Sequence, residues 1–162
     1  EADRQVLWQG LAEGTLAFVT TDHAGCDPLQ EKVGDNFWQV YGGIPGVEHR
    51  VPFLLSEGFL KGRLTLQQTI RLLTEHPAQF FGLEGKGRLQ PGKDADFALI
   101  DLWHSWTVRA AEMHSKGKYT PFEGLELNAR VMRTFLRGEL LVDLSQDFQT
   151  FVPTGQFLAR SK

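Results

Sequence analysis

Apolar positions recur along this chain in two rhythms, helical at first and strand-like later. Val6, Leu7 and Leu11 fall on one stripe of a helix expected over residues 3–12, with Asp3 near its start and Gly14 to end it. Leu16, Ala17, Phe18 and Val19 then form an unbroken apolar run. Such a run suits a short strand buried on both faces, as in a parallel sheet flanked by helices, and makes a helix–strand unit of the α/β kind. From Ala24 to Gly46 the pattern dissolves among Gly25, Pro28, Gly34, Gly42, Gly43, Pro45 and Gly46. Loops this long without regular structure are uncommon and often functional. Val47, Val51, Leu54 and Leu55 restore helical spacing, with Pro52 confining a regular helix to one side of it. Thr65-Leu66-Gln67-Gln68 reads as a capping box, with Ile70, Leu72 and Leu73 as the buried face behind it. Pro77 is expected to start a further short helix, with Phe80 and Phe81 packed inward and Gly82 as C-cap.

Past Gly82 the rhythm changes. Gly85, Gly87, Pro91 and Gly92 punctuate a turn-rich stretch, and residues 97–102 form a short apolar strand. Residues 131–136 and 139–142 read as two strands of a hairpin joined at Arg137-Gly138, where Gly138 takes a positive φ. Trp103, Trp106, Phe122 and Phe135 are the expected core of this half. The shift places a boundary between Gly82 and Gly92, giving segments 1–86 and 87–162. No internal repeat or low-complexity stretch is visible.

Composition narrows the class. The 162 residues are 41% hydrophobic and 23% charged, an ordinary globular balance. A net charge of −3 with scattered Lys and Arg gives no case for binding nucleic acid or an anionic membrane, and no apolar run approaches the ~20 residues a membrane helix needs. One cysteine, Cys26, rules out an internal disulfide framework and fits a reducing cytoplasm. The start, EADRQVLW, is neither a signal peptide nor an initiator Met, so the chain is expected to begin partway through a protein.

Candidate chemistry gathers where the apolar run ends, at Thr20, Thr21, Asp22 and His23. In parallel α/β architectures the C-terminal edge of the strands is where active sites are assembled. A carboxylate there either meets a metal, a cation or a set of donors, or simply caps the next turn.

The motifs TTDHAG, YGGIPGVEHR, HPAQFFGL, GKGRLQPGKDADFALID, KYTPFEG and TFLRGELLVD, in this order over nearly the whole chain, resemble the metal-dependent cyclic amidohydrolases: dihydroorotases, hydantoinases (dihydropyrimidinases) and allantoinases. The resemblance implies an α/β fold, here the last part of a (β/α)8 TIM-type barrel (amidohydrolase fold) followed by strands of a small β-sandwich. Residues 16–21 would be the last barrel strand. It further implies a binuclear centre, usually zinc, whose bridging hydroxide attacks a ring amide. Asp22 would ligate one metal and carry the hydroxide's proton to the departing nitrogen. The family's His-x-His pair, carbamylated Lys and further His are not in this chain, whose five histidines show no metal-ligand spacing. The remaining ligands are therefore expected upstream, in the N-terminal barrel half.

The resemblance also assigns Gly42, Gly43, Ile44 and Pro45 to the backbone edge that meets a small cyclic amide substrate; an ordinary Gly-Pro turn is the other reading. His23 either bonds nearby backbone or serves metal or substrate. Cys26 is a small loop hydrophobe or a substrate-site thiol, and stands where dihydroorotases commonly carry a His for the substrate carboxylate and allantoinases tend to have Cys. The tail GQFLARSK and YTPFEG look more like hydantoinases and allantoinases, although Gly42 replaces the Asn usual in hydantoinases. Two other readings compete with an enzyme segment: a non-catalytic dihydropyrimidinase-like scaffold acting through oligomeric binding, and a self-standing small α/β binding domain. The chain alone is expected to be inactive and to need its missing half, or a homo-oligomer, to cover its apolar faces.

Overall fold

The structure, a computed structural model, describes residues 1–146 and 154–159. Of the second sequence segment, residues 147–153 lie outside the described residues, as do Arg160, Ser161 and Lys162 of the tail. Helices occupy the first half: α1 (Ala2–Glu13), α2 (Pro28–Glu31), α3 (Arg50–Phe53), α4 (Leu66–Leu73) and α5 (Glu75–Phe80). Strands follow: β1 (Phe97–Asp101), β2 (Trp106–Thr107), β3 (Glu126–Leu127), β4 (Arg130–Leu136) and β5 (Glu139–Asp143). Among the described residues no helix is long and apolar enough to cross a membrane.

α1 stops where the sequence says, at Gly14, whose φ of 81° is the left-handed C-cap. Pro52 sits in the first turn of α3, where its missing N–H costs nothing, and the helix continues on one side only, as a π-helical stretch Leu54–Leu60. Gly58 on that stretch admits Trp8 of α1: a Cβ there would lie 3.1 Å from the Trp8 ring. Leu11, Leu64 and Leu72 form the small core beneath, with Trp8, Ala12 and Val19 packed against it. The capping box is present on both sides, with Thr65 accepting from the Gln68 amide and the Gln68 side chain accepting from the Thr65 amide. The Gln68 side chain also donates to the Ala12 carbonyl at the end of α1.

Three packing expectations are corrected. Ile70 is exposed and Thr69 is buried in its place, its hydroxyl returned to the Thr65 carbonyl at 3.0 Å. α5 begins at Glu75, before Pro77, and Phe80 and Phe81 stay largely exposed, touching only the edge of the assembly through Phe18 at ring distances of 5.1 and 6.0 Å. Residues 15–21 do not form the expected strand: Thr15 and Leu16 lie in a bend after α1, residues 17–21 are irregular, and Leu16 is 38% exposed. A parallel strand needs ladder neighbours about 4.8 Å to either side, and none of the described residues supplies one. Side chains hold the run instead: His76 Nδ1 bonds the Ala17 carbonyl at 2.8 Å, and Arg50 donates to the Val19 carbonyl at 3.4 Å.

β1, β4 and β5 make a three-stranded antiparallel sheet in the order β1-β4-β5. Phe97 faces Phe135 across β1 and β4, with the rings stacked at 4.4 Å. The β4–β5 hairpin turns at Arg137 and Gly138, with φ of 50° and 83°, the two positive values of a type I′ turn. β2 and β3 form a separate two-stranded pair around the fully buried Val108, Leu127 and Ala129. Of the four aromatics expected as core here, Phe135 stacks as described and Trp106 is half-buried, donating to the Ala129 carbonyl. Phe122 packs the other way, against Phe53 and His49, and Trp103, in the turn after β1, is 87% exposed.

The helical and strand regions are pinned together. Ser56, 3% exposed on the π-helical stretch, accepts from the Asn128 and Ala129 amides at 3.0 Å each. Lys86 bridges Asp94 and Asp96.

Candidate active site

The apolar run delivers the chain to Thr20, Thr21 and then Asp22, whose φ of 44° lies on the left-handed side. Asp enters this region at a cost of about 1 kcal/mol, less than branched or bulky residues pay. Asp22 is exposed, and its carboxylate takes no hydrogen bond from the described residues. It caps no turn. The cap in this loop is Asp27, which accepts from the Leu29 amide at 2.9 Å to start α2.

The residues after Asp22 are clasped to the glycine-rich segment. His23 Nδ1 accepts from the Gly46 and Val47 amides at 3.0 and 3.3 Å, which leaves its proton on Nε2 and makes it a backbone-binding residue in this structure. The Ala24 amide donates to the Ile44 carbonyl at 3.0 Å. Gly43 has a φ of 84°, and a Cβ on it would lie 2.6 Å from that of Ala24, so this position takes only glycine. Pro45 is fully buried behind it, Ile44 is exposed, and Gly42 faces open space.

A second set of contacts holds this clasp from below. Lys32 Nζ donates to the Tyr41 and Gly43 carbonyls at 2.8 and 2.7 Å. The Tyr119 hydroxyl, from the strand region, donates to the same Gly43 carbonyl at 3.3 Å. Its oxygen lies 3.4 Å from Cys26 Sγ. Cys26, 5% exposed, is thus buried against the phenol that holds Gly43. Burial, then the thiol, push the Tyr119 phenol up to about 12, which keeps it a donor throughout the working pH range.

The loop carrying Tyr119 is itself clamped. Glu48 accepts from the amides of His114 and Ser115 and from His114 Nδ1, at 2.9–3.1 Å. Burial works to raise the Glu48 carboxyl, but these donors overcome it and hold the group below its usual range. The adjacent His49 is buried against Phe122 and bonds Thr120 at 3.5 Å; burial pushes its imidazole down, against the pull of Glu48.

Among the described residues no three of His, Cys, Asp and Glu come together as a metal-binding group. Asp22 offers one carboxylate, and the ring nitrogen of its neighbour His23 is already engaged by amides. The donor set of the described residues therefore does not by itself fit a metal centre. Beside the site an apolar cavity of about 520 Å³ runs along α1 and the apolar run to Thr20, Thr21 and Pro45.

The sequence placed Asp22, His23, Cys26 and the Gly42–Pro45 neighbours, and the structure brings all of them into one loop cluster. It did not single out Lys32, Glu48 or Tyr119. Their roles arise from contacts made over long sequence distances; only the YTPFEG motif marked the vicinity of Tyr119.

Comparison with known proteins points one way. The model of the amidohydrolase family matches residues 1–141. An allantoinase of Enterococcus faecalis is 38% identical over 142 residues, 87% of this chain and 31% of that protein. An allantoinase of Escherichia coli (strain SE11) is 32% identical over 154 residues, 95% of this chain and 33% of that protein. A D-hydantoinase from Bacillus sp. AR9 superposes with a TM-score of 0.91 at 32% identity, over 97% of this chain and 35% of that one. The chain spans about a third of the length of the relatives it matches. With the match running unbroken from Glu1 to Leu141, the chain belongs to the amidohydrolase family.

Proposed function

We propose that this chain is the C-terminal part of a metal-dependent cyclic amidohydrolase that opens the ring amide of a hydantoin, dihydropyrimidine or allantoin. The observation that carries the reading is Asp22: an exposed carboxylate, without a competing donor among the described residues, held at a positive φ where the apolar run ends. In ring opening Asp22 accepts a proton from the attacking water as its oxygen adds to the ring carbonyl carbon. When the C–N bond breaks, Asp22 returns that proton to the departing nitrogen, so one water is consumed and the new carboxylic acid releases its remaining proton to solvent as a carboxylate. Gly42, Gly43, Ile44 and Pro45 supply the backbone edge against the substrate, with Cys26 beneath them. Asp22 would supply one ligand to the zinc pair that the resemblance implies, with the other ligands coming from outside this chain. Residues 16–21 are read as the last barrel strand, paired on both sides in the complete, oligomeric, cytoplasmic enzyme. A non-catalytic scaffold gives no reason for a free carboxylate at this position.

Cys26 in place of a carboxylate-binding His ranks the substrates. The full-length enzyme, assayed on hydantoin, dihydrouracil, allantoin and dihydroorotate, is expected to show its lowest kcat/KM on dihydroorotate. Dihydroorotate as best substrate overturns the ranking; hydrolysis of none of the four overturns the function.

A further inference from the structure

The Gly43 carbonyl is bonded twice from groups that reach it out of separate parts of the chain. Lys32 Nζ comes from the loop itself at 2.7 Å, and the Tyr119 hydroxyl from the strand region at 3.3 Å. The two donors are also in contact with each other, the ammonium standing 5.7 Å over the Tyr119 ring. Tyr119 is fixed in turn by Cys26 beside it, and its loop by the four hydrogen bonds that Glu48 receives. Lys32 spans two carbonyls at once, Tyr41 and Gly43, and so sets the course of the chain through Gly42.

In a trans peptide the N–H points opposite to the C=O, and among the described residues no peptide bond is cis. Holding the Gly43 carbonyl inward therefore turns the Ile44 N–H outward, and that amide donates to no backbone or side-chain group among the described residues. We infer that Lys32 and Tyr119 are positioning residues for substrate recognition: by occupying the Gly43 carbonyl they make the peptide joining Gly43 to Ile44 a hydrogen-bond donor only, matched to a carbonyl oxygen on the substrate ring. The inference rests on the proposed role of residues 42–45 as the substrate edge. It assigns the strand region a part in binding: Tyr119 reaches from the far side of the boundary to shape the site.

Lys32→Met, Lys32→Arg and Tyr119→Phe, made in the full-length enzyme beside Asp22→Asn, test it by steady-state kinetics and thermal unfolding. A hydrogen bond to a charged donor carries more than a neutral one, so Lys32→Met is expected to raise KM for the ring substrate roughly tenfold and Tyr119→Phe about threefold. kcat stays within about threefold of wild type, because the lost alignment weakens ground state and transition state alike. Lys32→Arg, which keeps a charged donor, recovers most of the KM. A merely structural role would instead lower thermal stability, with no rise in KM and no recovery by Arg. If Lys32→Met does not fold, the near-isosteric Tyr119→Phe decides. Unchanged KM in Tyr119→Phe and Lys32→Met with Asp22→Asn inactive overturns this inference alone; an active Asp22→Asn overturns the underlying reading.

Discussion

Gly43→Ala in the full-length enzyme is the substitution that the clasp around Asp22 is least able to absorb. Two costs add. A φ of 84° places an alanine in the left-handed region, worth about 1–2 kcal/mol. The new methyl would lie 2.6 Å from the Ala24 Cβ, more than an ångström inside ordinary carbon contact, and relieving such overpacking typically costs about 1–3 kcal/mol. A total of about 2–5 kcal/mol exceeds what the Ala24–Ile44 hydrogen bond supplies, about 1 kcal/mol, so the two segments separate rather than bear the strain. Displacement of a substrate-positioning loop by about 1 Å can cost 100-fold in rate, so kcat/KM is expected to fall by roughly that factor. Ala24→Gly in the same chain removes the clash and leaves only the φ cost, and should recover about tenfold. Steady-state kinetics on the preferred ring substrate read both variants. Gly43→Ala within threefold of wild type, or a double variant no better than the single one, refutes the reasoning.

Other parts of the fold answer to simpler measurements. Ser56→Ala leaves the Asn128 amide and the buried Ala129 amide without their acceptor and should destabilise the protein by about 1–3 kcal/mol, read as a lower urea midpoint; a shift under about 0.5 kcal/mol contradicts the pinning role. His49 is held below its ordinary value by burial, so below about pH 6.5 the unfolded chain binds the proton that the folded one resists. Stability is therefore full above pH 6.5 and is lost as pH falls toward the folded value, and His49→Gln should flatten that part of a Tm-against-pH curve. Glu48, held low, is a separate loss that begins only below about pH 4.5.

What was legible in the sequence is what is decided locally. Gly14, the Thr65–Gln68 box and the Arg137-Gly138 turn each close their own hydrogen bonds within a few residues, so no knowledge of the rest of the fold was needed. The apolar run at residues 16–19 forms no strand, because a buried parallel strand depends on ladder neighbours that the described residues do not supply. Phe80, Phe81 and Ile70 failed for a related reason: an apolar residue on a helix indicates that a face will be covered somewhere, not that this chain covers it. Trp103 is exposed because it sits in the turn that Asp101 organises, where the Asp101 carboxylate accepts from the Trp103 amide, and its hydrophobicity alone carries no sign of that turn. At the site, a carboxylate after a buried-type run points to Asp22, whereas Lys32 gains its role only when the loop folds back on Tyr41 and Gly43, and Tyr119 only when the loop and the strand region meet.

The proton role of Asp22 is tested most directly by Asp22→Asn in the full-length enzyme, with turnover measured on its best ring substrate alongside metal content and thermal midpoint. Asn preserves the shape and a weak oxygen ligand but cannot take up and return a proton. Turnover should therefore drop by about 10²–10⁴, the range for a positioned acid–base group, while fold and bound metal are retained. Activity above about a tenth of wild type in a folded, metal-loaded Asp22→Asn enzyme would contradict the account.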